Sequence, residues 1–561
     1  MPTSFPEYSV TQPDLETTRA QYAGFQQRLA ASDSAANCLA IVADWDKVLC
    51  RLKEWASLTY IRFQQDTKNE AYKAEKDKAD AILPKFTDLE TDFKQALLDS
   101  PFRRELETSL TAQLFAKWEC NTKSFSPAIE DDLAAEAKLE SQHTALTAGA
   151  EIEFQGETLT ISELRKFADD ADRGTREAAC RATSQWFADK APALDQIYDD
   201  QVILRHSMAQ KLGYDSFTEL GYQRMSRIGY GPDEVATFRN EVRDKVVPLV
   251  VELAEKQGGT LGLDRLMFWD NEVHSLAGNP KPLGDHDWMV DRATEMFDEM
   301  GHSLDTFFAE MKTRGTMDLK SRRGKAGGGF CDYLHEFEFP FIFANFNGTR
   351  GDVEVFTHEV GHAFQSYRSR NQPMSDIVWP TTEACEIHSM GLEFLTWPHM
   401  DKFYGAEAAE ELRRIHLTGF LQFLPYGVAI DHFQHMVYEK PEATPEERNA
   451  MWQEVEKTYL PWYQYDDLPA ESAGRLWQQK AHIYQCPFYY IDYCLALTGA
   501  MQFWSKSRSE PEATMAAYAK LCTLGGSKDY TGLLESAGLN SPFNPGCLDE
   551  VISDAQAYLK F

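Results

Sequence analysis

His358, Glu359 and His362 stand at a spacing that suits metal chemistry, His-Glu-x-x-His, inside the stretch from Val353 to Arg370. On a helix, positions i and i+4 lie one turn apart on the same face. Two imidazoles so placed can grip one Zn2+ ion. Glu359 sits one residue past His358, too close to share the metal comfortably. It can instead take a proton from a water activated there. The flanks Val353, Val355, Phe356, Val360, Ala363 and Phe364 are apolar, which predicts a largely buried helix. A buried helix carrying two imidazoles and a carboxylate without partners would be costly, and a metal removes that cost. The plain alternative is a chance match on a solvated helix face, and the apolar flanks argue against it.

A catalytic zinc needs a third protein ligand and an open position. Thr381 to Phe394 reads as a second helix, with Glu383, Glu386 and Glu393 roughly on one side. Periodicity leaves Glu383 and Glu386 both open as that ligand. A spare carboxylate there suits a group that orients an imidazole. His388 falls on another face, and Cys385 reads as a small packed residue.

The rest of the chain must position these side chains. Its 561 residues are enough for a large core, and 43% hydrophobic content makes it globular. A formal charge of −32 repels phosphates and anionic lipid, so nucleic acid and membrane surfaces are excluded as partners. The ten cysteines are scattered without Cys-x-x-Cys, which suits a reducing compartment. The first residues have neither the basic nor the apolar region of a signal peptide, so the expectation is a cytoplasmic protein. The longest nearly uncharged apolar run, Leu417 to Ile430, is too short to span a membrane.

From Asp14 to about Asn121 apolar residues recur at three and four: Leu39, Val42, Trp45, Leu49, Leu52 and Trp55 make one stripe. Pro84 and Pro101 are expected to separate successive helices. Residues 151–160 alternate around Gly156 and read as a short hairpin. Strand signals gather just before the His358 motif, in Gly327 to Tyr333 and Phe337 to Asn347. After residue 380 the chain reads as helical almost to its end. His432 and His435, in an amphipathic helix, read as structural. The expected class is mainly α with a small sheet beside the motif helix. The expected division is a helical part, 1–200, followed by a catalytic part, 201–561. Gly-x-Ser-x-Gly, P-loop and dinucleotide fingerprints are absent.

With these residues in hand, the chain resembles the thimet oligopeptidase family, closest to its oligoendopeptidase F and Pz-peptidase branch. The likeness rests on Phe341-Ile-Phe-Ala-Asn-Phe-Asn-Gly348, the His358 motif, Glu383-Ala-Cys-Glu-Ile-His-Ser-Met390, and His482-Ile-Tyr-Gln-Cys-Pro-Phe-Tyr-Tyr-Ile-Asp-Tyr493. The resemblance implies a two-lobed helical zincin around a deep channel, with one zinc per chain. It assigns Glu386 as third ligand and leaves Glu383 as a group supporting the ligands. It also implies that His482 and Tyr493, with Tyr489 or Tyr490, hold the tetrahedral intermediate.

The implied reaction is cleavage of internal bonds in short peptides, with Glu359 as general base. Phe343, Ala344 and Asn345 are expected to pair with the peptide as an added strand. Gly328 and Gly329, lacking side chains, would admit it closely. A zinc carboxypeptidase of related fold and a silent peptide-binding scaffold are the rivals. Blocked peptide ends separate the first. A fourth protein ligand would mark the second, and the sequence offers none nearby. Oligomeric state is not encoded in any of these signals.

Overall fold

A computed structural model describes residues 4–276, 278–322 and 324–560. Helix makes up 68% and strand 4%, so the mainly α expectation holds. The residues form two compact units. One contains the chain up to Thr122, Lys281–Ala409 and Ala496–Ser541; the other contains Lys123–Pro280, Glu410–Leu495 and the chain from Pro542 on. This differs from the sequential division 1–200 and 201–561. Each unit buries helices against partners far away in sequence, and a linear reading of composition does not register such pairings.

In the first unit, the stripe seen in the sequence becomes a core. Trp45, Phe93, Trp118, Leu49 and Leu97 are buried together, and Trp45 Nε1 donates to Tyr22 Oη at 3.0 Å. Local chemistry starts the helices: Asp14 caps Leu15–Ala30, Ser34 caps Ala35–Gln65 and Asn69 caps Glu70–Leu98. Pro84 does not end a helix as expected; it lies inside Glu70–Leu98. A proline there costs roughly 3 kcal/mol, which buried Phe86, Phe93, Leu97 and Leu98 on the same helix offset.

The hairpin at 151–160 forms in the second unit as β1 (Ile152–Phe154) and β2 (Glu157–Leu159). Gln155 and Gly156 both take positive φ, as a two-residue hairpin turn requires. In the first unit, β3 (Met317–Lys320), β4 (Phe330–Leu334) and β5 (Phe339–Phe346) form one sheet in the order β3-β5-β4. β4 pairs antiparallel with β5, and β3 runs parallel to it.

The chain leaves β5 through a tight turn into the motif helix, Gly351–Arg368. The Asp352 carboxylate closes that turn by accepting from the backbone N–H groups of Asn347 and Gly348, at 3.0 and 2.7 Å. The second predicted helix forms over Thr382–Leu395. These two helices press together at Gly361, inside the His-Glu-x-x-His segment. A Cβ there would lie 2.6 Å from the His388 carbonyl oxygen and 2.7 Å from the Ser389 Cα. No larger residue allows this approach.

In the second unit, His432 meets Tyr459 Oη at 3.2 Å while His435 meets Tyr222 Oη at 3.2 Å. The two rings serve different tyrosines, in keeping with a structural role. All ten cysteines are free. Among the described residues, no helix is long and apolar enough to cross a membrane.

Candidate functional site

The motif helix and the Thr382–Leu395 helix bring three side chains to one point. His358 Nε2 lies 3.3 Å and His362 Nε2 3.4 Å from the same Glu386 oxygen, Oε2. The two imidazoles are 5.0 Å apart and nearly perpendicular. Among the described residues these three form the one cluster whose ligand atoms fit around a single ion, all within 4.8 Å of one another. Ligand atoms on a tetrahedral zinc with bonds of about 2.0–2.1 Å stand roughly 3.3–3.4 Å apart. The donor set and its spacing therefore fit the metal.

Two carboxylates flank this point. Glu393, two turns beyond Glu386, contacts His358 Nδ1 at 2.8 Å. That contact fixes the ring so that Nε2 faces Glu386. Ser389 Oγ donates to Glu386 Oε2 at 2.9 Å and steadies the carboxylate. Glu383 lies buried one turn before Glu386, outside the three-ligand group. Glu393 is thus the partner of the His358 ring. The i+7 spacing from Glu386 was its signal, since two helical turns return to nearly the same face.

Glu359 is 6% exposed, and its Oε2 is buried without a hydrogen-bond partner. Its other oxygen faces the glycine turn: a Cβ on Gly329 would lie 3.2 Å from Glu359 Oε1. Burial pushes the Glu359 carboxyl above its ordinary range, against the pull of both imidazoles. Burial also works against charge on His358, but the carboxylates of Glu386 and Glu393 outweigh it and hold the imidazole well above its usual value. Glu386 is held well below the carboxylate range, its burial overcome by His362 and His358.

Strand addition on β5 is the expectation for Phe343, Ala344 and Asn345, and the pairing of β5 with β4 runs only as far as Phe343. β5 is the middle strand, hydrogen-bonded to β3 on one side and β4 on the other. Phe343 and Ala344 are fully buried. The Phe343 ring stacks on Phe330 at 4.8 Å, and the Ala344 carbonyl accepts from Lys325 Nζ. Asn345 spends its amide on the Ala326 and Gly328 carbonyls, at 2.8 and 2.9 Å. A run of aromatic and β-branched residues marks a strand but not whether it lies at the centre or the edge. Gly328 and Gly329 are exposed and lead directly into β4, an edge strand.

In the second unit, His482, Tyr489, Tyr490 and Tyr493 gather on their own. His482 lies 5.7, 5.1 and 6.0 Å from the three tyrosine rings in that order, and Tyr489 lies 5.0 Å from Tyr493. Tyr490 is buried, whereas Tyr489 and Tyr493 are half-buried. Burial, with Lys480 nearby, pushes His482 down to about 4. Phe488 precedes Tyr489 in a left-handed conformation, φ +67°. Buried Arg227 holds that turn, donating to the Phe488 carbonyl and to Asp492 Oδ1. The Phe488 N–H in turn donates to Gln434 at 3.1 Å. No motif in the sequence pointed to Arg227.

Comparison with known proteins agrees with these observations. Residues 166–279 and 304–551 match the model of peptidase family M3, and residues 5–125 match the peptidase M3 N-terminal domain. A structure provisionally described as oligoendopeptidase F superposes with a TM-score of 0.94 at 42% identity, covering 100% of this chain and 99% of that one. Pz peptidase A, solved with an inhibitor, gives 0.94 at 41% identity, with 99% of each chain covered. Oligopeptidase PepF of Bacillus subtilis (strain 168) is 20% identical over 542 residues, 91% of this chain and 78% of PepF. With more than half its length matched, the chain belongs to peptidase family M3, a family of zinc metallopeptidases.

Proposed function

We propose that this metalloendopeptidase hydrolyses internal bonds of short peptides, using one zinc held by His358, His362 and Glu386. The observation that carries this reading is the meeting of two imidazole nitrogens at one Glu386 oxygen, with unpartnered Glu359 beside them. A bound zinc would supply a Lewis acid that polarises the scissile carbonyl and makes water acidic near neutral pH.

The chain's own residues do the rest. Glu359 accepts the proton of the attacking water and passes it to the leaving amine. Glu393 keeps His358 in the tautomer that offers Nε2. Gly328 and Gly329 admit the peptide backbone beside Glu359, and the edge strand β4, not β5, supplies backbone pairing. Tyr493 and Tyr489, half-buried and neutral, donate to the developing oxyanion, and His482 orients them. Buried Tyr490 supports the pair from behind. Ten free cysteines suit work in a reducing compartment, the cytoplasm.

Peptides blocked at both ends test the reading. The enzyme should cut them at internal bonds, and a chelator should stop it. Cleavage confined to peptides with a free carboxyl end would favour a carboxypeptidase instead.

A further inference from the structure

Lys480 is an unusual cation for this chain. Asp and Glu outnumber Lys and Arg by 88 to 56, so a lysine has ample carboxylates to pair with. A cation drawn out of water is normally paired. Lys480 is half-buried, yet no carboxylate among the described residues lies at ion-pair distance from it. Its Nζ stands 5.2 Å from the ring centre of Tyr426 and 5.2 Å from that of Tyr490. The charge that presses on it is another cation, Arg165, which also acts on Tyr426 and Tyr490. Arg165 is exposed and likewise forms no ion pair among the described residues.

Ring faces attract an ammonium but offer no lone pairs to its three N–H donors. The positive charge of Arg165 repels that of Lys480, and an anion bound at Lys480 relieves the repulsion. Burial and Arg165 lower Lys480 to about 8, so it stays largely charged at neutral pH. Tyr490 meets His482 edge-on at 5.1 Å, so this corner adjoins the tyrosine cluster.

We propose that Lys480, assisted by Arg165, binds a carboxylate of the peptide substrate, either its C-terminal group or an acidic side chain. The proposal rests on the peptidase reading above and adds a specificity determinant to it. Neutral peptides then bind through backbone contacts alone, and those that place a carboxylate at this corner bind more tightly.

Calorimetric titration of the Glu359→Gln protein, which should bind without turnover, tests this with three peptides of one sequence. These are the free acid, the C-terminal amide, and the amide carrying one internal Glu. One carboxylate peptide should bind about tenfold more tightly than the neutral amide. A tight free acid identifies the terminal group, and a tight Glu-bearing amide identifies a side chain. Lys480→Met should remove the margin, while Lys480→Arg should keep most of it. Melting temperature should stay close to the parent's in both. No margin in the parent, or equal weakening of all three peptides by Lys480→Met, would overturn the proposal and leave Lys480 as a prop for the tyrosines. Failure of the wild-type enzyme to cleave any of the three would instead overturn the peptidase reading.

Discussion

The ligand helices of the first unit and the tyrosine cluster of the second both fix side chains, by different physical means. The ligand set is built from local periodicity. His362 lies four positions after His358, and one close helix–helix contact at Gly361 brings in Glu386. The tyrosine cluster hangs on long-range bonds. Arg227 reaches across 265 positions to Asp492, and Phe488 is held in a conformation its own sequence does not favour. Helical spacing makes the first region robust and legible. The second depends on buried ions that are costly to break.

The largest expected effect lies in the first region. Glu359→Gln should keep metal and peptide binding while lowering kcat by about 10²–10⁴-fold; steady-state assays with metal analysis check this. Retained turnover would remove Glu359 as the base. Next comes metal affinity. Glu386→Ala should abolish stoichiometric zinc, and Glu393→Ala should weaken it by about 10–100-fold. Glu383→Ala should weaken it less than Glu393→Ala. Competition with a zinc-sensitive dye ranks the three, and Glu383 outranking Glu393 would reassign the partner of His358.

In the second region, Arg227→Met should lower kcat more than it raises KM, because it frees the tyrosine turn without touching the metal ligands. It should also cost about 3–5 kcal/mol of stability by taking the buried Arg227 charge away from buried Asp492. Unchanged zinc content with reduced kcat would confirm that the two regions are independently built. Parallel loss of both would contradict the contrast drawn above.

The last effect is on acid stability and leaves catalysis at neutral pH unchanged. Burial pushes His143 and His435 down to about 4, and both pack on the supports of the tyrosine cluster. His143 stacks on Tyr484 at 4.0 Å, and the His435 ring lies tilted against Phe488 at 5.0 Å. Below the unfolded value near 6.5, the unfolded chain takes up protons that the folded chain refuses. Stability present at neutral pH is therefore lost as pH falls from about 6.5 towards 4, by roughly 3 kcal/mol per histidine at most. His143→Phe should flatten that slope in thermal melts between pH 7 and 4.5.

How much could be read from sequence follows the same divide. The His358 motif, its buried helix, the strands before it and the helical class all come from short-range periodicity, and they stand in the structure. Glu386 against Glu383 needed a family likeness, because both carboxylates satisfy helical spacing. The central position of β5 was hidden because β3 lies upstream as only four residues, Met317–Lys320, and a run that short carries little strand signal. Arg227 was invisible, since its partners lie hundreds of residues away. Pro84 misled because a proline inside a long amphipathic helix is outweighed by packing.

Diffraction from crystals of zinc-soaked protein, recorded on both sides of the zinc absorption edge, tests the central claim most directly. One anomalous peak per chain, bounded by His358 Nε2, His362 Nε2 and a Glu386 oxygen, is the predicted result. A peak that excludes Glu386, or none at this point despite full zinc loading, would contradict it.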